Sequence, residues 1–140
     1  MFLLSFSMGG LSALDITWNN PQLFRKAGIF SGSLWWRTNN TGTAEDDNSR
    51  IMHSIIRAGE KREGLQFWFQ ASTKDENRDR NKNGIIDSID DTLDLIKELK
   101  ELGYSDDEVL YEEIKDGQHN FHTWSKIFPS FLKWAFPVKN

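Results

Sequence analysis

Phe2-Leu3-Leu4-Ser5-Phe6-Ser7-Met8-Gly9-Gly10, near the start of the chain, passes from a short apolar run through a serine to two glycines. Residues 2–6 predict a short buried strand. Beyond the glycines, Leu11, Ala13, Leu14, Ile16 and Trp18 recur on one face at helical spacing. Asn19-Asn20-Pro21 ends that helix, because a residue before proline avoids the helical region. The order is strand, tight turn, helix. Ser5-Phe6-Ser7-Met8-Gly9 then matches the nucleophile-elbow pattern with Ser5 in place of the first glycine. Small residues are needed two before and two after the serine, since strand and helix pass close together there. The turn also sets the Met8 amide at a helix N-terminus, where it can stabilise an oxyanion.

Further along, Ala27-Gly28-Ile29-Phe30-Ser31 reads as a second buried strand, and polar residues 38–49 as a surface loop. Ile51, Ile55 and Ile56 predict a helix up to about Arg62. Residues 65–71 form the clearest strand and are followed by an acidic, Asn-rich loop over 75–91. Leu93, Ile96, Leu99 and Leu102 mark a helix with Gly103 as its C-cap. Residues 108–114 predict a last strand. Trp124, Ile127, Phe128, Phe131, Leu132 and Trp134 outline a C-terminal helix, kinked at Pro129. Strands alternating with helices imply an α/β fold with a mostly parallel sheet and flanking helices, in a single domain over residues 1–140. The first strand starts almost at Met1, so the sheet reads as the C-terminal portion of a larger fold.

The 140 residues suffice for one hydrophobic core, and the net charge of -4 with no basic stripe argues against a nucleic-acid partner. No apolar run is long enough to span a bilayer. Met1-Phe2-Leu3-Leu4 is too short for a signal-peptide apolar region and has no basic leader. The chain has no cysteine, which removes disulfides, a thiol nucleophile and thiolate metal sites.

A serine on such a turn needs a base and an acid, in the chain order Ser, Asp or Glu, His. Strand 65–71 runs into Ser72-Thr73-Lys74-Asp75-Glu76, an acidic pair just past a strand end. The last strand runs into Asp116-Gly117-Gln118-His119-Asn120. Asp75 would orient the imidazole and His119 would take the Ser7 proton, with Glu76 and His122 as the alternative acid and base. His53, on a predicted helix without an obvious partner, reads as structural. Trp35 and Trp36 follow a strand end and could line a substrate cleft, though core packing suits at least one of them equally well.

These residues, together with Gly28-Ile29-Phe30-Ser31-Gly32-Ser33-Leu34-Trp35-Trp36 and the segment from Trp124 to Phe131-Leu132-Lys133-Trp134-Ala135-Phe136, resemble an esterase family of the α/β-hydrolase fold. That family includes esterase D, enterochelin esterase-like and feruloyl or acetyl-xylan esterase-like enzymes. The resemblance implies a serine carboxylic-ester hydrolase working through an acyl-enzyme, with Ser7 as nucleophile, Asp75 as acid and His119 as base. It needs no cofactor for catalysis. It also implies that the family's N-terminal strands, and an early loop carrying a second oxyanion donor, lie outside these residues. Expected substrates are small-molecule or polysaccharide-linked esters, above all carbohydrate-linked acyl or feruloyl esters, with a siderophore ester as the alternative. A non-catalytic, calcium-stabilised binding domain is the competing reading, and a peptidase of the same fold a third.

Asp79-Arg80-Asn81-Lys82-Asn83-Gly84-Ile85-Ile86-Asp87-Ser88-Ile89-Asp90 fits a twelve-residue calcium loop of the helix–loop–helix type. Asp79, Asn81 and Asn83 offer oxygens at positions one, three and five, and glycine stands at six. Ile85 offers its carbonyl, Asp87 stands at nine and Asp90 at twelve, while Ile86 would point into the core. A hard cation takes six or more oxygens, and this spacing wraps them around one point. The expected ion is a structural Ca2+ that pins the segment starting at Asp75. Calcium and polysaccharide chemistry suit an exported parent protein.

Overall fold

The structure, a computed structural model, describes residues 1–138. Among them, four strands form one sheet in the order β1 (Phe2–Phe6), β2 (Lys26–Phe30), β3 (Gln66–Lys74) and β4 (Val109–Gln118). All three pairings are parallel, which is the α/β sheet expected from the alternation of elements. Parallel neighbours need crossovers, and helices supply them: α1 (Met8–Asn19), α2 (Ile51–Arg57) and α3 (Asp87–Glu101). The last helix, α4 (Phe121–Ala135), follows β4.

Successive strand residues point to opposite faces, so β2, β3 and β4 feed two cores. Ala27, Ile29, Phe67, Phe69 and Val109 pack against Leu14 and Trp18 of α1, Met52 and Ile56 of α2, and Leu95, Ile96 and Leu99 of α3. On the other face, Phe30 and Trp68 meet Trp124, Ile127, Phe131 and Ala135 of α4. Gly28 is needed there: a Cβ on it would come within 2.5 Å of the Phe131 ring.

Several boundaries differ from the sequence reading. The buried face of α1 runs through Ala13, Leu14, Thr17 and Trp18, while Ile16 is exposed, because Thr17 takes the inward position. Residues 38–49 are more than a surface loop. A 3-10 helix spans Ala44–Ser49, and the buried Asp46 carboxylate accepts the amides of Thr41 and Gly42 at 2.9 and 2.8 Å. Those hydrogen bonds, opposed by burial and aided by Arg37, lower the Asp46 pKa to about 2. Helix α2 stops at Arg57 rather than Arg62. Helix α3 begins earlier than its leucines suggested, and Leu93 faces solvent. Pro129 lies within α4, which runs unbroken as a helix from Phe121 to Ala135.

Helices α2 and α3 meet through buried charge. Arg50 and Arg80 both pair with the Asp91 carboxylate, and Arg50 also reaches Asp94 at 2.8 Å. Arg80 continues to Asp47 at 2.5 Å and Asp87 at 3.2 Å. His53 is fully buried beside them, with Nε2 2.7 Å from the Asp91 carbonyl. Burial first, and then the Arg50 charge, lower its pKa to about 4, so the ring is neutral at neutral pH and Nε2–H donates.

Candidate active site

Each parallel strand ends on the same edge of the sheet, and the residue that follows β1, β3 and β4 is Ser7, Asp75 and His119 respectively. Ligand sites of open α/β sheets lie at this edge.

Ser7 sits between β1 and α1 with φ 54 and ψ −126, a left-handed backbone that non-glycine residues seldom adopt. Four backbone bonds hold it. Its amide donates to the Phe30 carbonyl at 2.9 Å, and its carbonyl accepts Gly10, Leu11 and Ser33 amides at 2.9, 3.3 and 3.0 Å. The side chain is thereby raised above the strand ends. Ser5 changes what the turn requires. A Cβ on Gly9 would lie 2.2 Å from the Ser5 hydroxyl and 3.1 Å from the Ser5 Cβ, so a side chain two beyond Ser7 would force Ser5 to shift. Met8 opens α1, and its amide is one of the first N–H groups, which have no partner within the helix.

His119 arrives through an irregular end of β4. Register shifts between Ser72 and Lys74, where Lys74 pairs with Gln118, and Asp116 takes φ 59 in the bulge. Gly117 is crowded there; a Cβ would lie 2.7 Å from the Ser72 hydroxyl and 2.8 Å from Thr123. Asn120 then caps α4 by accepting the Thr123 amide at 3.0 Å. The outcome is His119 Nε2 at 2.9 Å from Ser7 Oγ. On the far side of the ring, Nδ1 stands 3.5 Å from Asp75 Oδ1. That is longer than a closed hydrogen bond. Such contacts are often loose before substrate binds and tighten in the complex.

Asp75 is the more enclosed partner, with 1% of its side chain exposed against 38% for His119. Its Oδ2 accepts the Ser72 amide at 2.7 Å and its Oδ1 the Ser31 hydroxyl at 2.9 Å. Glu76, the alternative acid, turns to the cleft wall instead. Burial, with the charges of Asp87 and Asp91 adding to it, pushes its pKa above the usual carboxylate range. His122, the alternative base, is exposed at the start of α4 and lines a separate depression with Lys115 and Lys126.

Ser7, His119 and Asp75 open onto a cleft of about 270 Å³ that is also lined by Trp35, Glu76 and Ser88. Trp35 and Glu76 continue into a neighbouring, more polar cleft of about 520 Å³ that reaches Arg37, Arg78 and Arg80. Trp36 does not line the cleft. It leans on Trp35 at 5.7 Å between ring centroids, and both rings are close to half exposed. The sequence reading missed Ser31, whose only signal was its place at the end of a predicted strand.

The loop at 79–90 divides its candidate oxygen donors. Asp79 accepts the amides of Asn83 and Gly84 at 3.1 and 2.9 Å, and Gly84 has φ +86. The amide groups of Asn81 and Asn83 lie 3.1 and 2.8 Å from Asp90 Oδ2. Asp87 turns away: its carboxylate takes the Arg80 amide at 2.8 Å and the Arg80 guanidinium at 3.2 Å. Ile85 is exposed, and Ile86 is half-buried rather than in the core. Among the described residues no three His, Cys, Asp or Glu side chains converge as a metal cluster, so carboxylates alone would not make this a site.

Among the described residues no helix is long and apolar enough to cross a membrane. No curated protein matches the chain. Among solved structures, the enterobactin esterase of Shigella flexneri is similar at 21% identity with a TM-score of 0.67, over 96% of this chain and 32% of that one. The ferric enterobactin esterase of Salmonella typhimurium is similar at 21% identity and a TM-score of 0.68, over 94% and 29%. A ferulic acid esterase is similar at 12% identity and a TM-score of 0.62, over 92% and 48%. At these identities the likeness is one of fold. The chain spans about a third of the enterobactin esterase structures and about half of the ferulic acid esterase. The sequence profile described as Putative esterase matches residues 2–135. A match over nearly the whole sequence, on this fold, settles the lineage: the chain belongs to the Putative esterase family and has the α/β-hydrolase type of fold.

Proposed function

We propose that the chain carries the nucleophile, base and acid of a serine carboxylic-ester hydrolase, in Ser7, His119 and Asp75. The observation that supports it best is the 2.9 Å approach of His119 Nε2 to Ser7 Oγ, with a buried carboxylate on the other ring nitrogen. His119 takes the Ser7 proton as Oγ attacks the ester carbonyl, and the Met8 amide faces the oxyanion. The protonated imidazole then releases its proton to the departing alcohol. In the second half, His119 draws a proton from water as the water oxygen attacks the acyl carbonyl, then returns it to Ser7 Oγ as the bond to the acyl group breaks and the acid leaves. Asp75 keeps the Nδ1–H tautomer throughout. Trp35 offers an apolar wall beside the nucleophile and the polar extension past Glu76 offers hydroxyl partners, which suits an aromatic or acyl ester on a sugar. Turnover of a short-chain chromogenic ester, compared between the protein and Ser7→Ala, tests the reading. Loss of turnover is expected; equal rates would sink it.

We also propose that residues 79–90 bind Ca2+ as a structural ion. Asp79, Asn81, Asn83, the Ile85 carbonyl and Asp90 would hold it, with Asp87 acting at most through water, since Arg80 engages its carboxylate. Support comes from the glycine at position six with φ +86 and from the start of α3 at position nine. The ion would brace the segment between Asp75 and α3. Calcium at about 100 times its dissociation constant is expected to stabilise the fold by about 2.7 kcal/mol. Thermal melts in excess calcium and in chelator check this, with Asp79→Ala expected to abolish the difference. Identical midpoints for the unaltered protein would remove the site.

A further inference from the structure

Asp75 is held from behind as well as faced by His119. Ser31 follows β2 directly, has φ 44, and is 3% exposed. A left-handed backbone is strained for a residue with a Cβ, and glycine would avoid that strain. Serine stands there nonetheless, and its hydroxyl is fully engaged. The Trp124 indole Nε1–H donates to Ser31 Oγ at 3.0 Å. An indole N–H can only donate, so it occupies a lone pair and leaves the single Ser31 proton for an acceptor. Two acceptors are in reach: Asp75 Oδ1 at 2.9 Å and Gln70 Oε1 at 3.3 Å. The carboxylate is nearer and charged, so it takes the proton. The relay therefore has a direction, from Trp124 to Ser31 to Asp75.

Trp124 also touches the base. Its ring meets the His119 ring edge-on, with centroids 5.1 Å apart and planes at 78°. One indole, anchored near the start of α4, thus supports the imidazole by contact and the carboxylate through a serine. With Ser72 N–H on Oδ2 and Ser31 O–H on Oδ1, the carboxylate cannot rotate without breaking one of them.

We propose that Ser31 and Trp124 are positioning residues that fix the Asp75 carboxylate towards His119 Nδ1 and hold the imidazole in the tautomer with its proton there. This rests on the assignment of Ser7, His119 and Asp75 given above. Neither residue touches the reacting atoms. Without the relay Asp75 can turn aside, and the imidazole proton redistributes towards Nε2, where it blocks acceptance from Ser7.

The test measures two quantities on the protein and on Ser31→Ala, Trp124→Phe and Asp75→Asn. One is the His119 tautomer from its ring nitrogen-15 shifts, which are insensitive to the loss of a nearby indole. The other is the rate constant for modification of Ser7 by a fluorophosphonate, separated from the reagent's saturation constant. Ser31→Ala is expected to slow modification about tenfold and Trp124→Phe about threefold, at unchanged saturation, as each removes one hydrogen bond of the relay. Both are expected to raise the Nε2–H fraction. Trp124→Phe keeps the ring packing and decides the matter if Ser31→Ala does not fold. If Asp75→Asn changes both quantities while Ser31→Ala and Trp124→Phe change neither, the positioning role is overturned and the acid stands. If Asp75→Asn changes neither, the acid is misassigned and the positioning role falls with it.

Discussion

Asp75→Asn is expected to lower ester turnover about 10⁴-fold with little change in substrate affinity, the loss seen when the carboxylate of such a triad becomes an amide. The local geometry says why the loss should be large. Oδ2 accepts the Ser72 amide at 2.7 Å, so an asparagine must keep its carbonyl oxygen there. Its NH2 then falls at the Oδ1 position, facing His119 Nδ1 and the Ser31 hydroxyl. A donor at that place selects the imidazole with its proton on Nε2, and that ring cannot take the Ser7 proton. Steady-state kinetics with a chromogenic ester checks it. A loss below tenfold would mean that Asp75 is not the acid, and would return attention to Glu76.

The second large effect is on stability. Asp91→Ala is expected to destabilise the fold by about 3–5 kcal/mol, because it strands buried positive charge. Asp91 is 1% exposed and receives both Arg50, at 2.6 Å, and Arg80. Arg50 would keep Asp94, which is half exposed, and Arg80 would keep Asp47 and Asp87. Neither replacement centres on the two guanidiniums as Asp91 does. The network joins α2, α3, the 3-10 helix and the 79–90 loop, so the cost spreads across the face of the sheet that those helices cover. Urea unfolding measures it, and a change under about 1 kcal/mol would show that the remaining carboxylates suffice.

How much of this could be read from residues alone depended on the range of the interaction. The elbow was legible because Ser5, Ser7, Gly9 and Gly10 are neighbours in sequence, and the steric demand that links them is local. The convergence of Asp75 and His119 on Ser7 was legible because each follows a strand, and a parallel sheet gathers such ends on one edge. Ser31 was not, since its hydrogen bonds involve Trp124, 93 residues away, and its backbone angle is one that no periodicity reports. The early start of α3 was hidden in an acidic stretch, Asp87-Ser88-Ile89-Asp90-Asp91, whose inward residues include two aspartates. Asp91 is buried only because Arg50 and Arg80 meet it there, and Asp87 leaves the oxygen set of the 79–90 loop for the same Arg80. Hydrophobic patterning does not register helix turns that bury ion pairs.

The central claim is that Ser7 is an activated nucleophile, and covalent trapping tests it without assuming a substrate. The protein is incubated with a fluorophosphonate, digested, and the adduct mapped by mass spectrometry. One adduct is expected, on Ser7, absent from Ser7→Ala and formed far more slowly in His119→Ala. A folded protein that stays unlabelled, or a label that persists in Ser7→Ala, would contradict it.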